Sequence, residues 1–138
     1  MPDLMSFLGD WRIARVIEDR RAAASGRFTG QACFSADEKG LHYAEHGLLT
    51  LGDAAPMEAR QSYHWAQDGG TLIIRFPDMR PFHEVPADAA TPEARHHCAP
   101  DDYHVHYDFR DWPAWRAVWT VRGPRKDYTM TSTYRPDG

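Results

Sequence analysis

Residues 96–109 read HHCAPDDYHVHYDF, and this stretch predicts the fold of the chain better than any other. It holds four of the eight histidines and one of the two cysteines. From Tyr103 to Phe109, aromatic or aliphatic side chains alternate strictly with polar ones, which is the period of a strand with one buried face. Pro100 and Asp101 mark a turn just before it. The stretch therefore predicts two strands joined by a tight turn.

Similar alternation recurs along the rest of the chain. Asp68-Gly69-Gly70 and other short turn signals separate the alternating segments. No segment shows a sustained helical period, and residues 4–8 predict only a short helical turn that caps the other elements. Outside the opening stretch, strands are predicted at residues 12–17, 28–34, 41–51, 57–65, 71–76, 81–85, 113–121 and 128–135.

Short strands that follow one another through hairpins favour an up-and-down meander. Closing such a meander removes exposed strand edges and can enclose one small ligand. The predicted fold is therefore all-β, a single antiparallel up-and-down β-barrel domain that spans residues 1–138 and begins with a short helical turn. An open sandwich is the alternative.

Composition excludes several classes of partner. A formal net charge of −4 argues against nucleic acid and against an anionic membrane surface as the main partner. Cys33 and Cys98 predict two unpaired thiols in a reducing compartment. The first residues lack the cationic start and the apolar core of a signal peptide, and no segment resembles a membrane span. We expect a soluble cytoplasmic protein.

Several motifs resemble known β-barrel families. Gly9-x-Trp11 is similar to the motif that opens the first strand of lipocalins and related calycin barrels, in which a basic residue near the end of the last strand packs over the Trp. Arg135 stands at the corresponding position. The chain also resembles a family of small bacterial and fungal lipocalin-like proteins without an assigned function, through Tyr43-x-Glu45-x-Gly47, Arg60-x-x-Tyr63, Phe82-His83, His96-x-Cys98-x-x-Asp101-x-Tyr103 and Gly123-Pro124-x-Lys126-Asp127-Tyr128. The resemblance implies a calycin-type barrel and no particular reaction.

The strand period separates the histidines of the opening stretch. If the aromatic face that includes Tyr107 points into the barrel, His104 and His106 point to solvent. A metal or haem held by these two histidines, with Asp108 as an oxygen ligand of the metal, is the alternative. No metal ligand is assigned on this basis, and no cofactor is assigned.

Two charged residues occur in phase with apolar ones. Glu45 shares a strand face with Leu41, Tyr43 and Leu49, and Arg15 is in phase with apolar residues of its own strand. A buried charge is costly unless it is paired. We therefore predict that Glu45 and Arg15 both face the lumen, either as an internal salt bridge or as the lining of a polar pocket.

The predicted ligand-binding residues combine these two charges with aromatic and mouth residues. The loop at residues 86–93 has the length of a lid over the barrel mouth, which would place His83 at the rim; a plain solvent-exposed or capping His83 is the alternative. Lys126 belongs to a basic turn that could attract an anionic group, or that is simply solvated. The complete set is Arg15, Tyr43, Glu45, Tyr63, Trp65, His83, His96, Tyr103, Tyr107, Trp119 and Lys126.

These predictions favour a barrel that binds a small hydrophobic or aromatic molecule. The alternative is an enzyme in which Glu45 or a histidine acts as a general base. That alternative requires Glu45, His83, His96 and Tyr103 to line one pocket, within hydrogen-bond reach or one water molecule of each other. A homo-oligomer is left open.

Overall fold

The computed structural model describes residues 2–138, in which a short 3-10 helix precedes ten β-strands. Met1, the first residue of the predicted domain, lies outside the described residues. The helix is Leu4–Phe7, as the sequence predicts. The strands β1 to β10 are, in chain order, Gly9–Asp19, Ala24–Asp37, Gly40–Leu51, Met57–Asp68, Thr71–Arg75, Pro81–Pro86, Glu93–Cys98, Asp101–Asp108, Trp115–Arg122 and Asp127–Pro136.

The ten strands form one antiparallel sheet that curves into a nearly closed barrel. The strand order is β6-β5-β4-β3-β2-β1-β10-β9-β8-β7, so the first and last strands pair and every other pair joins sequence neighbours. Arg15 on β1, for example, is in register with Ser132 on β10. The predicted all-β antiparallel up-and-down barrel is confirmed.

A seam between β6 and β7 interrupts the closure that the sequence predicts. Within residues 2–138, no backbone ladder joins these two strands. The pairing of β5 with β6 shifts register between Ile74 and Arg75, and such an irregularity bends a strand away from regular pairing. Inside the barrel, the Phe82 ring on β6 lies 5.2 Å from the His96 ring on β7, so side chains cover the seam.

The strand period places alternate residues of β2 in the barrel interior, and Phe28 and Phe34 on this face are buried. Between them, Gly30 is in register with Gly47 on β3. A Cβ atom added to Gly30 would lie 2.2 Å from the backbone oxygen of His46. The close approach of β2 and β3 at this point therefore requires glycine.

One end of the barrel is closed by aromatic side chains around the 3-10 helix. Phe7 is fully buried, and its ring lies 5.1 Å from that of Trp65 and 5.4 Å from that of Trp115. Trp11 Nε1 donates a hydrogen bond to the carbonyl oxygen of Phe7 at 2.8 Å. The helix therefore acts as the predicted cap.

The expectation that Arg135 packs over Trp11 is wrong. Tyr134 points into the barrel and stacks on Trp115 with ring centroids 3.8 Å apart. Because neighbouring strand residues point to opposite faces, Arg135 is exposed on the outside. The ring of Trp112 packs against Trp11 instead, with ring centroids 5.5 Å apart.

The loop that has the length of a lid lies at the closed end of the barrel. The prediction that it covers the open mouth is therefore also wrong. The loop at residues 87–92 is held by backbone hydrogen bonds from Ala87 to Gly70, from Tyr107 to Pro92 and from Phe109 to Ala90. Each strand pair alternates direction, and the direction of β6 brings this loop to the end that Phe7 fills. The loop cannot cover the opposite end.

Two smaller expectations concern the surface. Cys33 and Cys98 are free, as the sequence predicts, and both are exposed. In the part of the chain from residue 2 onward, none of the helical structure is long and apolar enough to cross a membrane.

Candidate functional site

A cavity of about 770 Å³ occupies the barrel interior away from the closed end. Its deep wall includes Trp65, Tyr107 and Trp115, and its outer wall includes Ala59 and Tyr128. The strands position this lining because each one alternates between lumen and surface. The cavity lies within the size range of small-molecule sites, and apolar and aromatic side chains predominate in its wall.

A buried polar network joins three strands on one side of the lumen. Arg15 on β1 donates from Nη1 to Glu45 Oε2 at 2.8 Å and from Nη2 to Glu45 Oε1 at 3.0 Å. Arg15 Nε donates to Ser132 Oγ at 2.6 Å. Tyr43 donates to Glu45 Oε1 at 2.5 Å, and its hydroxyl lies 2.9 Å from that of Tyr134. The predicted lumen position and pairing of Arg15 and Glu45 are thus both observed.

Burial governs the proton affinity of this network. It raises the pKa of Tyr43 and of Tyr134 above the usual value of a phenol, and the charge of Glu45 adds to the effect. For Arg15, burial opposes the charged form, but the hydrogen bond and charge of Glu45 raise the pKa above its ordinary value. At neutral pH the two phenols are therefore protonated, and the guanidinium is charged.

His83 is a neutral imidazole in the lumen wall. Burial lowers its pKa to about 3, and the charge of His96 acts in the same direction. Its Nε2 lies 2.8 Å from the hydroxyl of Tyr107, whereas its buried Nδ1 has no hydrogen-bond partner among the described residues. The same is true of the indole nitrogen of Trp115, which also lines the cavity.

Stacked aromatic rings form the wall beside the seam. Phe82 lies nearly parallel to Trp119, with ring centroids 5.1 Å apart, and nearly parallel to Phe76 at 4.4 Å. The ring of Tyr63 stacks on the same Phe82 at 5.6 Å. This arrangement presents a flat apolar surface to the lumen.

Lys126, unlike the other predicted ligand-binding residues, does not line the cavity. Its Nζ lies 3.0 Å from Asp101 Oδ2 and donates to the hydroxyl of Tyr103 at 3.3 Å. These hydrogen bonds raise the pKa of Lys126. The side chain is outside the cavity wall, so it positions Tyr103 rather than contacting the lumen.

The structure brings the remaining predicted ligand-binding residues together. Arg15, Tyr43, Glu45, Tyr63, Trp65, His83, His96, Tyr103, Tyr107 and Trp119 all line the cavity. Sequence reasoning missed Ser132 and Tyr134, which complete the polar network, as well as Phe28, Phe82, Trp115 and Met130 in the wall. The period of β10 carried a signal, because Ser132 and Tyr134 are in phase with Met130.

The geometric condition for the enzyme alternative is met only in part. Glu45, His83, His96 and Tyr103 line one cavity, but no hydrogen bond in the described chain joins any two of them. Both oxygens of Glu45 accept hydrogen bonds from Arg15. A carboxylate held in this way is not free to take a proton from a substrate.

The strand β8 points its histidines out of the barrel and its aromatic face inward, as predicted. Val105, Tyr107 and Phe109 are buried in the barrel, whereas His104 and His106 lie on the outer face. Neither of these histidines can therefore ligate a group held in the lumen. Asp108 binds Arg110, with Nη2 donating to Oδ2 at 2.9 Å, and does not join the two histidines.

Comparisons with known proteins agree with this architecture. The model of a family of unknown function, DUF6314, matches residues 7–136. The chain belongs to this family. No curated protein matches it.

Two solved structures share the fold at low sequence identity. The S-type phycobiliprotein lyase from Guillardia theta is 11% identical with a TM-score of 0.65, and the match covers 98% of this chain and 90% of the lyase. A protein of unknown function from the DUF3598 family of Nostoc punctiforme is 9% identical with a TM-score of 0.58. That match covers 97% of this chain and 48% of the other, so this DUF6314 chain spans about half the length of that protein. The predicted calycin-type barrel of a family without assigned function is confirmed.

Proposed function

We propose that this barrel binds a small, flat and largely apolar molecule in its lumen. The observation that carries the proposal is the cavity of about 770 Å³, which is lined mainly by apolar and aromatic side chains and lies inside a barrel closed at one end. A cavity of this size and composition suits an aromatic or conjugated ligand. The half-buried rings of Tyr63 and Trp119, which both line the cavity, provide the surface on which such a molecule stacks.

The charge of the lumen supports a ligand whose buried part is neutral. The charges of Arg15 and Glu45 compensate each other, and His83 is uncharged. The buried part of the ligand is therefore neutral and aromatic.

The comparison with the phycobiliprotein lyase supports the proposal at the level of the fold alone. It shows that a barrel of this kind occurs in a protein whose name implies a bound substrate.

We also propose that the protein works in the reducing cytoplasm. The two exposed, unpaired cysteines support this proposal.

Titration with the neutral fluorescent dye N-phenyl-1-naphthylamine tests the proposal. The dye should bind the folded protein with one saturable site and increased fluorescence. Ala59 lies on the lumen face of β4, so Ala59→Trp should fill the outer cavity and weaken dye binding about tenfold or more, which corresponds to about 1.4 kcal/mol.

The neighbouring Glu58 is exposed on the outer face of the same strand and supplies the matched control. Glu58→Trp should leave dye binding unchanged. Near-UV circular dichroism of each variant confirms native packing, because loosely packed proteins also bind this dye. Equal affinities in the two variants, or no saturable binding by the wild type, would contradict lumen binding.

A further inference from the structure

The outer face of β7 and β8 brings two imidazoles and a carboxylate together beside the seam. Glu93 on β7 is directly opposite His106 on β8, and His104 is two residues away on the same face. His106 Nε2 lies 2.8 Å from Glu93 Oε2, and His104 Nε2 lies 3.4 Å from Glu93 Oε1. One potential ligand atom from each residue lies within 4.8 Å of the other two.

One of these potential ligand atoms is buried and makes no hydrogen bond among the described residues. His104 Nε2 is shielded from solvent and has no hydrogen-bond partner among residues 2–138, although the side chain as a whole is 27% exposed. The His104 ring lies 5.4 Å from the His106 ring. A solvent-shielded ring nitrogen that lies close to a carboxylate and a second imidazole is available as a metal ligand.

We propose that Glu93, His104 and His106 bind a divalent transition-metal ion on the outside of the barrel, with Zn²⁺ as the best fit. The Nε2 atoms of both histidines and one carboxylate oxygen supply three ligands, and water supplies the fourth of a tetrahedral site. Two imidazoles and a carboxylate suit Zn²⁺ better than Mg²⁺ or Ca²⁺, which prefer oxygen ligands. The site lies outside the lumen and does not depend on the function proposed above.

Sequence reasoning placed the wrong carboxylate here. Asp108 shares the strand face of His106, but it binds Arg110, and those hydrogen bonds lower its pKa to about 2. Glu93 is 11 positions before His104 in the chain, and only the β7–β8 pairing brings it close. Arg95, opposite His104, adds a positive charge to this face and should weaken the binding of a cation.

The location suggests a structural role for the ion. β7 pairs with β8 on one side and faces the seam on the other, so its backbone is held from one side only. An ion bound by Glu93 of β7 and both histidines of β8 would cross-link the two strands. Metal binding should therefore raise the thermal unfolding temperature, and above the dissociation constant the stabilisation should grow with the logarithm of the free ion concentration.

Calorimetric titration of tag-free, chelator-treated full-length protein with ZnCl₂ tests the proposal. The wild type should bind one equivalent of Zn²⁺. His106→Gln, His104→Gln and Glu93→Gln should each weaken binding by about 10–100-fold or more, since even residues that only support a ligand have effects of this size. Arg95→Ala should strengthen binding.

His97→Gln is the matched control. His97 is exposed on the same hairpin and pairs with Asp102, but no third ligand accompanies them, so its loss should leave Zn²⁺ affinity unchanged. Far-UV circular dichroism verifies that each variant folds, which is expected because the Glu93 and His106 side chains are each 51% exposed.

Any of three results would overturn the proposal. The first is no saturable Zn²⁺ binding by the wild type, and the second is equal affinity in the wild type, His104→Gln and His106→Gln. The third is a zinc-dependent rise in unfolding temperature that persists in both histidine variants. Dye binding in the lumen is measured separately, so failure here leaves the proposed ligand-binding function untouched.

Discussion

Arg15 and Glu45 form a bidentate ion pair across the inner face of β2, with nitrogen–oxygen distances of 2.8 and 3.0 Å. Their side chains are only 14% and 7% exposed, so neither charge is well solvated. Two parallel hydrogen bonds of this type give both strength and a defined geometry. The pair therefore links β1 to β3 and sets the polar side of the lumen.

Breaking this pair should strongly destabilise the protein. Glu45→Gln leaves the Arg15 charge buried without a counter-ion, and we expect the free energy of unfolding to fall by about 3–5 kcal/mol in urea denaturation. The double variant Arg15→Met/Glu45→Leu removes both charges and should lose less than Glu45→Gln alone. A loss of less than about 1 kcal/mol in Glu45→Gln would show that the pair is solvated.

Acid should destabilise the protein through His83. Its pKa is about 3 when folded and near 6.5 when unfolded, so between these values the unfolded state binds more protons. The free energy of unfolding therefore falls as the pH drops below 6.5, by at most about 1.4 kcal/mol per pH unit from this group. Above that range both states are neutral, and His83 contributes no pH dependence.

His83→Gln removes this titration and keeps a polar side chain next to Tyr107. Urea denaturation of both proteins between about pH 7 and pH 4.5 should show a steeper loss in the wild type. The carboxylates titrate in both proteins, so the difference in slope reports His83. Parallel pH profiles would mean that the imidazole has the same pKa in the folded and unfolded states.

The aromatic cap at the closed end should make a large contribution to stability. Phe7 is fully buried, so Phe7→Ala should lower the free energy of unfolding by about 3–5 kcal/mol. The adjacent Leu8 is 47% exposed, and Leu8→Ala should change it by no more than about 0.5 kcal/mol. Chemical denaturation measures both values, and similar losses in the two variants would contradict the cap.

The contact between β2 and β3 should reject even one added methyl group at Gly30. Gly30→Ala would place its Cβ against the β3 backbone, and we expect a loss of about 1–3 kcal/mol as the strands separate. At Gly70 nothing lies within 4 Å of an added Cβ, so Gly70→Ala should be neutral or slightly stabilising. Thermal unfolding compares the two variants, and equal melting temperatures would exclude a close approach at Gly30.

Much of the barrel could be predicted because local patterns report which face of a strand is buried. The phase of Tyr107 predicted an inward aromatic face and outward histidines, and the structure has both. The phase of Glu45 and Arg15 with apolar neighbours predicted two lumen charges. These inferences needed only the two-residue period of a strand and the cost of burying a charge.

Other features depended on which strands lie side by side. Ser132 joins Arg15 only because β10 pairs with β1, and Glu93 approaches His106 only because β7 pairs with β8 in one register. The loop at residues 87–92 had the length of a lid, but the direction of β6 placed it at the closed end. Pairing and direction are long-range properties that no local pattern reports.

By itself, the sequence determined the strand pattern, the all-β barrel and most of the predicted residues that face its lumen, because side-chain alternation is encoded locally. Only the tertiary structure decided the seam between β6 and β7, the closed end, the partners of Arg15 and the carboxylate beside His104 and His106. Those features arise where segments distant in the chain come into contact, and the free energy of that contact depends on the whole barrel.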